Sequence, residues 1–283
     1  VNDLGGSVEG PGGSTSMADQ VVEEIVTAGG KAVANYDSVA TREGAQRIAQ
    51  SAIDNFGRID ALINNAGNMR YKPFENFTAD DLDAVLAVHL VGTFNVTQAV
   101  WPHMKAQGYG RIVSTSSSAG MYGDEGYACY GAAKAGITGL MNVLSHEGKP
   151  HGILCNVLMP NAITRMTDRV SDQMDKSDIE QSMALMNAIK NSMEPKFTTG
   201  LAVYLASDSC KSTKAIYSSC AGRMARVIIG ATNGWQGPQE DPCTADDVAA
   251  HFEEIGDLSS GAHIPESPGD EFRIVVTNPK PAV

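Results

Sequence analysis

Tyr130 and Lys134 are four residues apart, and Ser117 lies thirteen residues before the tyrosine. On a helix, residues at this spacing share one face, which would place the Lys134 ammonium beside the Tyr130 phenol. A neighbouring ammonium favours the phenolate and so lowers a phenol pKa that is otherwise about 10. The Ser117 hydroxyl could hold a substrate oxygen against the phenol. These residue types predict proton transfer at an alcohol or carbonyl oxygen, the step that accompanies hydride transfer to or from a nicotinamide.

The tyrosine–lysine spacing has an alternative explanation, because a Tyr-x-x-x-Lys pair arises by chance in about half of chains of this length. Its surroundings favour the catalytic interpretation. The pair follows a serine-rich strand end at 114–118 and a turn at Gly120. Small residues around the pair would let its helix pack closely on another helix or a cofactor; they are Gly131, Ala132, Ala133, Ala135 and Gly136.

The segments that must position these residues alternate between strand-type and helix-type patterns. Strands are predicted at 31–36, 59–64 (expected to be buried), 111–116, 153–159 (stopped by Pro160) and 225–230. Helices are predicted at 14–28, 41–56, 78–105, from Tyr130 towards Glu147, and at 197–207. Ser14 or Ser16 would cap the first helix and Thr78 the third. The alternation predicts a Rossmann-type, doubly wound parallel sheet in a three-layer α/β/α arrangement.

The composition changes near residue 234. Residues 1–233 are predicted to form one nucleotide-binding domain. Beyond them Gly, Pro, Asp and Glu become frequent, with one helical stretch near 245–255 and a strand-like run at 272–277. We interpret 234–283 as an extension that packs on the domain or is partly flexible, and its pattern indicates no role.

Charge and cysteine usage disfavour several classes of function. The formal net charge is −12 and no cluster of Lys and Arg appears, which argues against nucleic-acid binding. No apolar run approaches the roughly 20 residues that span a bilayer, so membrane insertion is not expected. The five cysteines are odd in number and form no C-x-x-C pair, which favours reduced thiols over zinc or disulfides. We expect a cytoplasmic protein without a bound metal.

Five motifs together resemble those of the short-chain dehydrogenase/reductase family. They are Asn64-Asn65-Ala66-Gly67, Gly110-Arg111-Ile112-Val113, Ser116-Ser117-Ser118-Ala119-Gly120, Tyr130-Gly131-Ala132-Ala133-Lys134 and Pro160-Asn161-Ala162-Ile163-Thr164. The resemblance covers about residues 1–232. The segments 1–6, 30–39 and 88–90 are most similar to the 3-hydroxyacyl-CoA dehydrogenase part of the multifunctional β-oxidation enzyme.

The resemblance implies a role for individual residues. Tyr130 would be the acid/base, Lys134 its partner and a ligand of the nicotinamide ribose, and Ser117 the donor to the substrate oxygen. Asp3 would bind the adenosine ribose hydroxyls, and its carboxylate would repel a 2′-phosphate, so NAD is favoured over NADP. The other implied cofactor-binding residues are Asp37 and Ser38 at the adenine, Asn65, Ala66 and Gly67 along the cofactor, and Thr164 at the carboxamide.

The chain departs from the family pattern at two positions. His89 stands where many members have an asparagine that keeps a proton-relay water; it is interpreted as a marker of the β-oxidation branch, with a structural histidine as the alternative. Asn161 replaces a glycine and should only stiffen its turn.

The family's first strand and Gly-rich pyrophosphate turn have no counterpart in the chain. By resemblance they would lie roughly 30–40 residues before Val1, at a helix N-terminus that faces the pyrophosphate. Gly10-Pro11-Gly12-Gly13 follows Asp3 and does not replace them. We therefore expect an incomplete gene product, whose full form is the enzyme.

The predicted activity is NAD-dependent oxidation of a secondary alcohol, most specifically a 3-hydroxyacyl-CoA, which could be steroid-derived. The alternatives are a 17β-hydroxysteroid dehydrogenase, a 3-oxoacyl-carrier-protein reductase and, in another class, an inactive fragment or non-catalytic cofactor-binding protein. A methionine-bearing stretch at 165–195 would be the substrate lid or ordinary core. By resemblance, the helices at 78–105 and around Tyr130 would pair in a homodimer or homotetramer.

Overall fold

The computed structural model describes residues 1–7, 9, 15–164, 189–238 and 240–277. The chain divides into two compact units, which are described separately: a main unit, Val1–Arg226, and a C-terminal unit, Val227–Val283. The domain boundary predicted at 233/234 stays a prediction.

A five-stranded sheet forms the centre of the main unit. Its strands lie in the order β1 (Ala61–Asn64), β2 (Gly110–Thr115), β3 (Ile153–Asn161), β4 (Ala215–Cys220) and β5 (Arg223–Val227). β1 to β4 are parallel, with Ala61 opposite Arg111 and Gly110 opposite Ile153. A two-residue turn at Ala221 and Gly222, both with positive φ, connects β4 to β5. The predicted class, a mostly parallel sheet flanked by helices, is confirmed.

Helices connect the parallel strands. They are α1 (Ser16–Thr27), α2 (Arg42–Phe56), α3 (Ala79–Leu86), α4 (Gly92–Gln107), α5 (Ser118–Tyr122), α6 (Ala128–Gly148) and α7 (Lys196–Ala206). Short 3₁₀ turns lie at Phe74–Asn76, Lys149–His151 and Lys190–Ser192. The predicted helices are present to within two residues at nearly every described end.

One π-helical turn, Ala87–Val91, joins α3 to α4, so helical structure is continuous over Ala79–Gln107. Thr78 caps it as predicted: its Oγ1 accepts from the Asp81 amide at 3.2 Å, and Asp81 Oδ2 accepts from the Thr78 amide at 3.0 Å. By length and composition alone this helix could cross a membrane, so the expectation that no apolar run approaches that length was wrong. Of its most apolar window, 44% is buried inside the protein, and one helix of this kind is weak evidence for a membrane span.

Packing of α6 and α7 against the sheet forms the core. β2 is buried along its whole length, and α6 packs on one side of the sheet, where Met141 Sδ accepts from Ser114 Oγ at 3.3 Å and both Ile137 and Met141 are 1% exposed. The other side of the sheet carries a cluster of buried apolar residues: Val113, Leu158, Leu201, Leu205 and Cys210. Complete burial of each large apolar side chain contributes roughly 1.5–3 kcal/mol. The loop that follows β2 therefore extends from a rigid base.

Three strand predictions were wrong. Segment 31–36 forms only a single bridge among the described residues, between Asn2 and Asn35, with hydrogen bonds from the Asn35 amide to the Val1 carbonyl and from the Asp3 amide to the Asn35 carbonyl. β1 was expected to be buried, yet its Ile63 is 48% exposed, because β1 is the edge strand of the described sheet. β3 runs through Pro160, which pairs with Ser219.

Three smaller differences also appear. The N-cap of α1 is Thr15 rather than Ser14 or Ser16, and its side chain makes no capping hydrogen bond. β4 was not predicted, and the strand predicted at 225–230 instead begins at Arg223 and ends at Val227. All five cysteines are free, in agreement with the expectation of reduced thiols.

The C-terminal unit contains an antiparallel pair, β6 (Ala231–Thr232) and β7 (Ala262–His263), and three short helices: α8 (Ala245–Ala250), α9 (Phe252–Ile255) and α10 (Pro268–Thr277). α8 and α9 occupy the predicted helical stretch. The run 272–277 was expected to be strand-like and is instead helical. The reason is a start signal upstream: Asp270 Oδ2 accepts from the amides of Glu266 and Ser267, and Pro268 is the first helical residue.

Candidate active site

Ser117, Tyr130 and Lys134 meet at the carboxyl end of β2. Ser117 is the N-cap of α5, where its Oγ accepts from the Ala119 amide at 3.2 Å and is hydrogen-bonded to Tyr130. Tyr130 and Lys134 lie one turn apart on α6, with the lysine Nζ 5.5 Å from the centroid of the tyrosine ring. The structure therefore brings the predicted set together.

Lys134 is held in place along its whole length. Its side chain is buried, and Nζ donates to the Thr115 carbonyl at 2.7 Å. The Lys134 carbonyl accepts from Ser116 Oγ at 2.8 Å. Gly120 packs directly against the lysine, since a Cβ at that position would lie 2.7 Å from the Lys134 Cβ. The small residues around the pair thus serve the close contact of α5 with α6.

Burial shifts the pKa values of the two groups in opposite directions. Desolvation lowers the pKa of Lys134 to about 7. It raises the pKa of Tyr130, and the hydrogen bond with Ser117 offsets only part of that rise. The expectation that the ammonium would lower the pKa of the phenol was therefore wrong for this structure, because desolvation dominates. A phenol and an amine with displaced pKa values in one buried place are typical of an acid/base centre.

Aromatic side chains that the sequence analysis missed surround Tyr130. Tyr127 lies 5.9 Å from it between ring centroids, and Tyr71 packs edge-on against Tyr127 at 5.2 Å. Gly126, with φ of 77°, provides space for Tyr71, since a Cβ there would come within 2.4 Å of that ring. The i, i+3 spacing of Tyr127 and Tyr130 was a signal that could have identified this contact.

Seven of the nine residues implied to bind a cofactor line one cavity of about 480 Å³, whereas Tyr130 and Lys134 are not among its described lining residues. The seven are Asp3, Asp37, Ser38, Asn65, Ala66, Gly67 and Thr164. Its volume lies in the range typical of small-molecule sites. The structure therefore gathers residues that are far apart in the chain, as the resemblance implies.

Asp3 and Asp37 have different surroundings. One Asp3 oxygen accepts from the Gly5 amide at 2.6 Å. Asp37 accepts from Arg47 Nε at 2.6 Å and from Asn35 Nδ2 at 2.9 Å. Desolvation opposes ionisation of Asp37, but these two hydrogen bonds hold its pKa below the usual value. Asp37 is thus already paired with a cation.

Gly67 is required by packing within the protein. A Cβ at this position would lie 2.5 Å from Cε1 of His89, so only glycine fits. Asn65 Oδ1 accepts from Thr115 Oγ1 at 3.2 Å, which connects the turn after β1 to the end of β2. Gly67 also lines the cavity, so its expected role beside a cofactor stays a prediction, and the contact with His89 is a second reason for glycine at this position.

His89 lies between this turn and the catalytic helix, and the structure adds contacts that its position in the chain did not reveal. Its ring is 1% exposed and meets the Tyr130 ring edge-on at 5.2 Å. Its Nε2 lies 2.7 Å from the Asn68 carbonyl oxygen. Asn161, the other departure, ends β3, and its Oδ1 accepts from Ser118 Oγ at 3.2 Å.

The methionine-bearing stretch falls largely outside the described residues, as do Met166, Met174, Met183 and Met186. Met193 is described and is buried, with its carbonyl accepting from the Ile163 amide at 2.7 Å.

Comparison with known proteins identifies the family. A family model described as short chain dehydrogenase matches residues 10–178. A short-chain type dehydrogenase/reductase of Mycobacterium tuberculosis is 40% identical over 264 residues, which cover 93% of this chain and 86% of that protein. The chain belongs to the short-chain dehydrogenase/reductase family. It is therefore an oxidoreductase.

Two other members of the family extend the comparison. The peroxisomal multifunctional enzyme type 2 of Mus musculus is 40% identical over 263 residues, covering 93% of this chain but only 34% of the mouse enzyme. Among solved structures, a 7α-hydroxysteroid dehydrogenase complexed with NADH and 7-oxo glycochenodeoxycholic acid is similar with a TM-score of 0.67 and 26% identity. That likeness covers 78% of this chain and 82% of the steroid enzyme. This short-chain dehydrogenase/reductase thus spans about a third of the mouse enzyme.

Proposed function

We propose that this chain catalyses NAD-dependent oxidation of a secondary alcohol, with a 3-hydroxyacyl-CoA as the substrate class. The observation that carries the proposal is the set of Ser117, Tyr130 and the fully buried Lys134, which is connected to the cavity lining because Thr115 contacts both Lys134 Nζ and Asn65. The likeness to peroxisomal multifunctional enzymes supports the substrate class.

In this proposal Tyr130 exchanges the proton of the substrate hydroxyl, and Ser117 donates a hydrogen bond to the same oxygen. Lys134, with a pKa of about 7, can carry or release a proton near neutral pH. Its hydrogen bond to Thr115 keeps the ammonium from leaving the site. When bound, the nicotinamide ring would supply the hydride acceptor.

The lining of the cavity fits NAD better than NADP. Asp3 contributes a carboxylate, and no Lys or Arg is among the described residues that line the cavity. A 2′-phosphate would therefore meet negative charge without a compensating cation. Asp37 and Ser38 would bind the adenosine half, while Lys134, Thr164 and the turn Asn65–Gly67 would bind the nicotinamide half.

A hydroxysteroid is the second candidate substrate, in particular a 17β-hydroxysteroid. The structural likeness to a 7α-hydroxysteroid dehydrogenase favours it. The aromatic rings of Tyr71 and Tyr127 beside Tyr130 would suit either a sterol or an acyl chain.

The test is NADH formation from a 3-hydroxyacyl-CoA and from a hydroxysteroid, in the wild-type chain and in Tyr130→Phe. We expect Tyr130→Phe to lower turnover by about 10³-fold, since general acid–base groups typically contribute 10²–10⁴-fold. NADH affinity should change little. Tyr122→Phe is the matched control, because Tyr122 is 68% exposed on α5 and should keep wild-type activity. Full turnover in Tyr130→Phe would disprove the mechanism, and NADH binding without turnover in the wild type would favour a non-catalytic protein.

We also propose a homodimer or homotetramer, formed through α4 and α6. Support comes from large apolar side chains that each of these helices leaves partly exposed, among them Phe94 at 43% and Val143 at 56%. Light scattering would test it, and a monomer at micromolar concentration would contradict it.

The proposed location is cytoplasmic, with peroxisomal as the alternative that the names of the relatives suggest; cell fractionation distinguishes the two.

A further inference from the structure

His89 has an unusual local setting. It lies in the π-helical turn Ala87–Val91, inside an otherwise α-helical stretch, and is 1% exposed. Turns of this kind are rare and often occur at functional sites, because they reorient one residue of a helix. Here that residue projects between the turn after β1 and the catalytic helix α6.

The imidazole ring makes three contacts that connect these elements. Nε2 lies 2.7 Å from the carbonyl oxygen and 3.1 Å from the amide nitrogen of Asn68. Cε1 fills the space that a side chain at position 67 would need. The ring meets the Tyr130 ring edge-on, with an interplanar angle of 89°. One side chain therefore touches both the cofactor-side turn and the catalytic tyrosine.

Asn68 adds a second hydrogen bond between the turn after β1 and the helical stretch that carries His89. It is 3% exposed, and its Nδ2 donates to the Ala84 carbonyl at 2.9 Å, in the helix just before the π-helical turn. The turn after β1 is thus attached to this helix at two points, Ala84 and His89. A displacement of either element would break both hydrogen bonds.

The ring is neutral in this setting. Burial, followed by the nearby Lys134 charge, lowers the pKa of His89 to about 3. Nε2 accepts from the Asn68 amide at 3.1 Å and also lies 2.7 Å from the Asn68 carbonyl oxygen, so the tautomer of the ring decides whether it accepts or donates there. Within the described residues Nδ1 has no hydrogen-bond partner. A protonated ring would place two positive charges in one buried site, so the neutral form suits a fixed positioning role.

We infer that His89 is a positioning residue, which holds the Gly67–Asn68 turn and the Tyr130 ring in a fixed mutual arrangement. The inference rests on the proposed function, because Tyr130 is the group whose chemistry is positioned. The competing explanation is a histidine that only fills the core. The two explanations predict different activities for a variant that keeps a flat ring at position 89 but has no ring nitrogens.

The experiment compares His89→Phe, His89→Gln and the control Val100→Ala in the full chain. Phenylalanine keeps a flat ring beside Tyr130 and loses the hydrogen bond to Asn68, whereas glutamine keeps a donor and loses the ring. Val100 is 3% exposed on the same helix, three turns beyond His89, and reports simple loss of packing. The readouts are turnover, KM, NADH affinity, the pH profile of turnover and amide hydrogen exchange over residues 62–70.

We expect His89→Phe to lower kcat by about 10–100-fold, because small misplacements of catalytic groups have effects of this size. NADH affinity should fall about 10-fold, and the limb of the pH profile assigned to Tyr130 should move. Amide exchange at 67 and 68 should become faster in both His89 variants and stay unchanged in Val100→Ala. Compared with His89→Phe, His89→Gln should show slower amide exchange at 67 and 68, because it keeps a hydrogen-bonding group. Its kcat should improve by less, because it lacks the ring beside Tyr130.

Unchanged amide exchange at 67 and 68 in His89→Phe would overturn the inference. A His89→Phe variant with a lower melting temperature but unchanged kcat would overturn it as well. Hydrogen exchange needs neither substrate nor cofactor, so it tests the connection even in a chain without turnover. Absence of turnover in the wild type, with the exchange result as expected, would therefore refute the proposed function and not the contact. If His89→Phe does not fold, His89→Gln carries the same measurements.

Discussion

The tetrapeptide Thr-Ala-Asp-Asp occurs twice in this chain, at 78–81 in the main unit and at 244–247 in the C-terminal unit. Both copies begin a helix with the same capping box. The threonine Oγ1 accepts from the aspartate amide at 3.2 Å in each. The aspartate accepts from the threonine amide at 3.0 Å in the first copy and 2.8 Å in the second. The local sequence therefore determines the local geometry.

The two copies differ in everything beyond the cap. Asp81 lies largely buried and also binds Lys72 at 2.6 Å and Arg70 at 3.4 Å. Its helical stretch continues to Gln107 and carries His89 into the active site. Asp247 is exposed, and its helix ends at Ala250. The same start signal thus leads to a long core helix where apolar packing continues, and to a short surface helix where it does not.

The largest expected difference between the two copies is the loss of stability when the capping aspartate, Asp81 or Asp247, is replaced by asparagine. Asp81→Asn should destabilise the main unit by about 2–3 kcal/mol, since it weakens the cap and leaves Lys72 and Arg70 without their partially buried partner. Asp247→Asn should have a much smaller effect on the C-terminal unit. The two tryptophans allow separate measurement, because Trp101 lies in α4 and Trp235 in the C-terminal unit. Denaturant unfolding followed by fluorescence, in Trp235→Phe and Trp101→Phe backgrounds, would give each value; equal losses would contradict the comparison.

A smaller effect is expected from the threonines, which contribute the cap alone. Thr78→Ala should cost about 1 kcal/mol in the main unit, and Thr244→Ala about 0.5 kcal/mol in the C-terminal unit, because capping hydrogen bonds contribute in this range. The same single-tryptophan variants measure both. Thr78→Ser and Thr244→Ser retain the hydroxyl and serve as controls, and a loss in either serine variant as large as in the alanine variant would show that the hydroxyl is not the cause.

The smallest expected effect is the pH dependence of the stability that Asp81 contributes. The hydrogen bond from Lys72 is the main reason why the pKa of Asp81 lies well below its ordinary value of 3.8. A carboxyl with a lowered pKa in the folded state adds stability that is complete above 3.8 and disappears as the pH falls towards the folded-state pKa. The stability difference between wild type and Asp81→Asn should therefore be constant from pH 5 to 7 and shrink below about pH 4. Urea unfolding across this range tests it, and a difference that grows on acidification would refute it.

The parts of the fold that could be predicted are those with local causes. Thr78 caps its helix as predicted, Thr41 caps α2 where a helix was predicted to begin, and Gly57 ends α2 in a left-handed conformation. The i, i+4 spacing of Tyr130 and Lys134 correctly indicated one helix with both side chains in the same buried place. For these features, a few neighbouring residues supply the hydrogen bonds and the backbone preference.

The errors arose where distant residues matter. Segment 31–36 has the composition of a strand, but a strand also needs a ladder with a neighbour, and the described residues form only the single bridge between Asn2 and Asn35. β1 is apolar, yet no described strand covers its outer edge. The pKa of Tyr130 was expected to fall because of a nearby charge, and burial by the whole fold raised it.

Residue types and short spacings in this chain indicate the family, the helix starts and the catalytic set, because capping, helical periodicity and acid–base chemistry act over a few residues. They do not reveal why residue 67 must be glycine, why His89 is neutral, or why one Thr-Ala-Asp-Asp segment begins a core helix and the other a surface helix. Those properties depend on packing between segments that are distant in the chain and on the exclusion of water, and both exist only after the chain has folded.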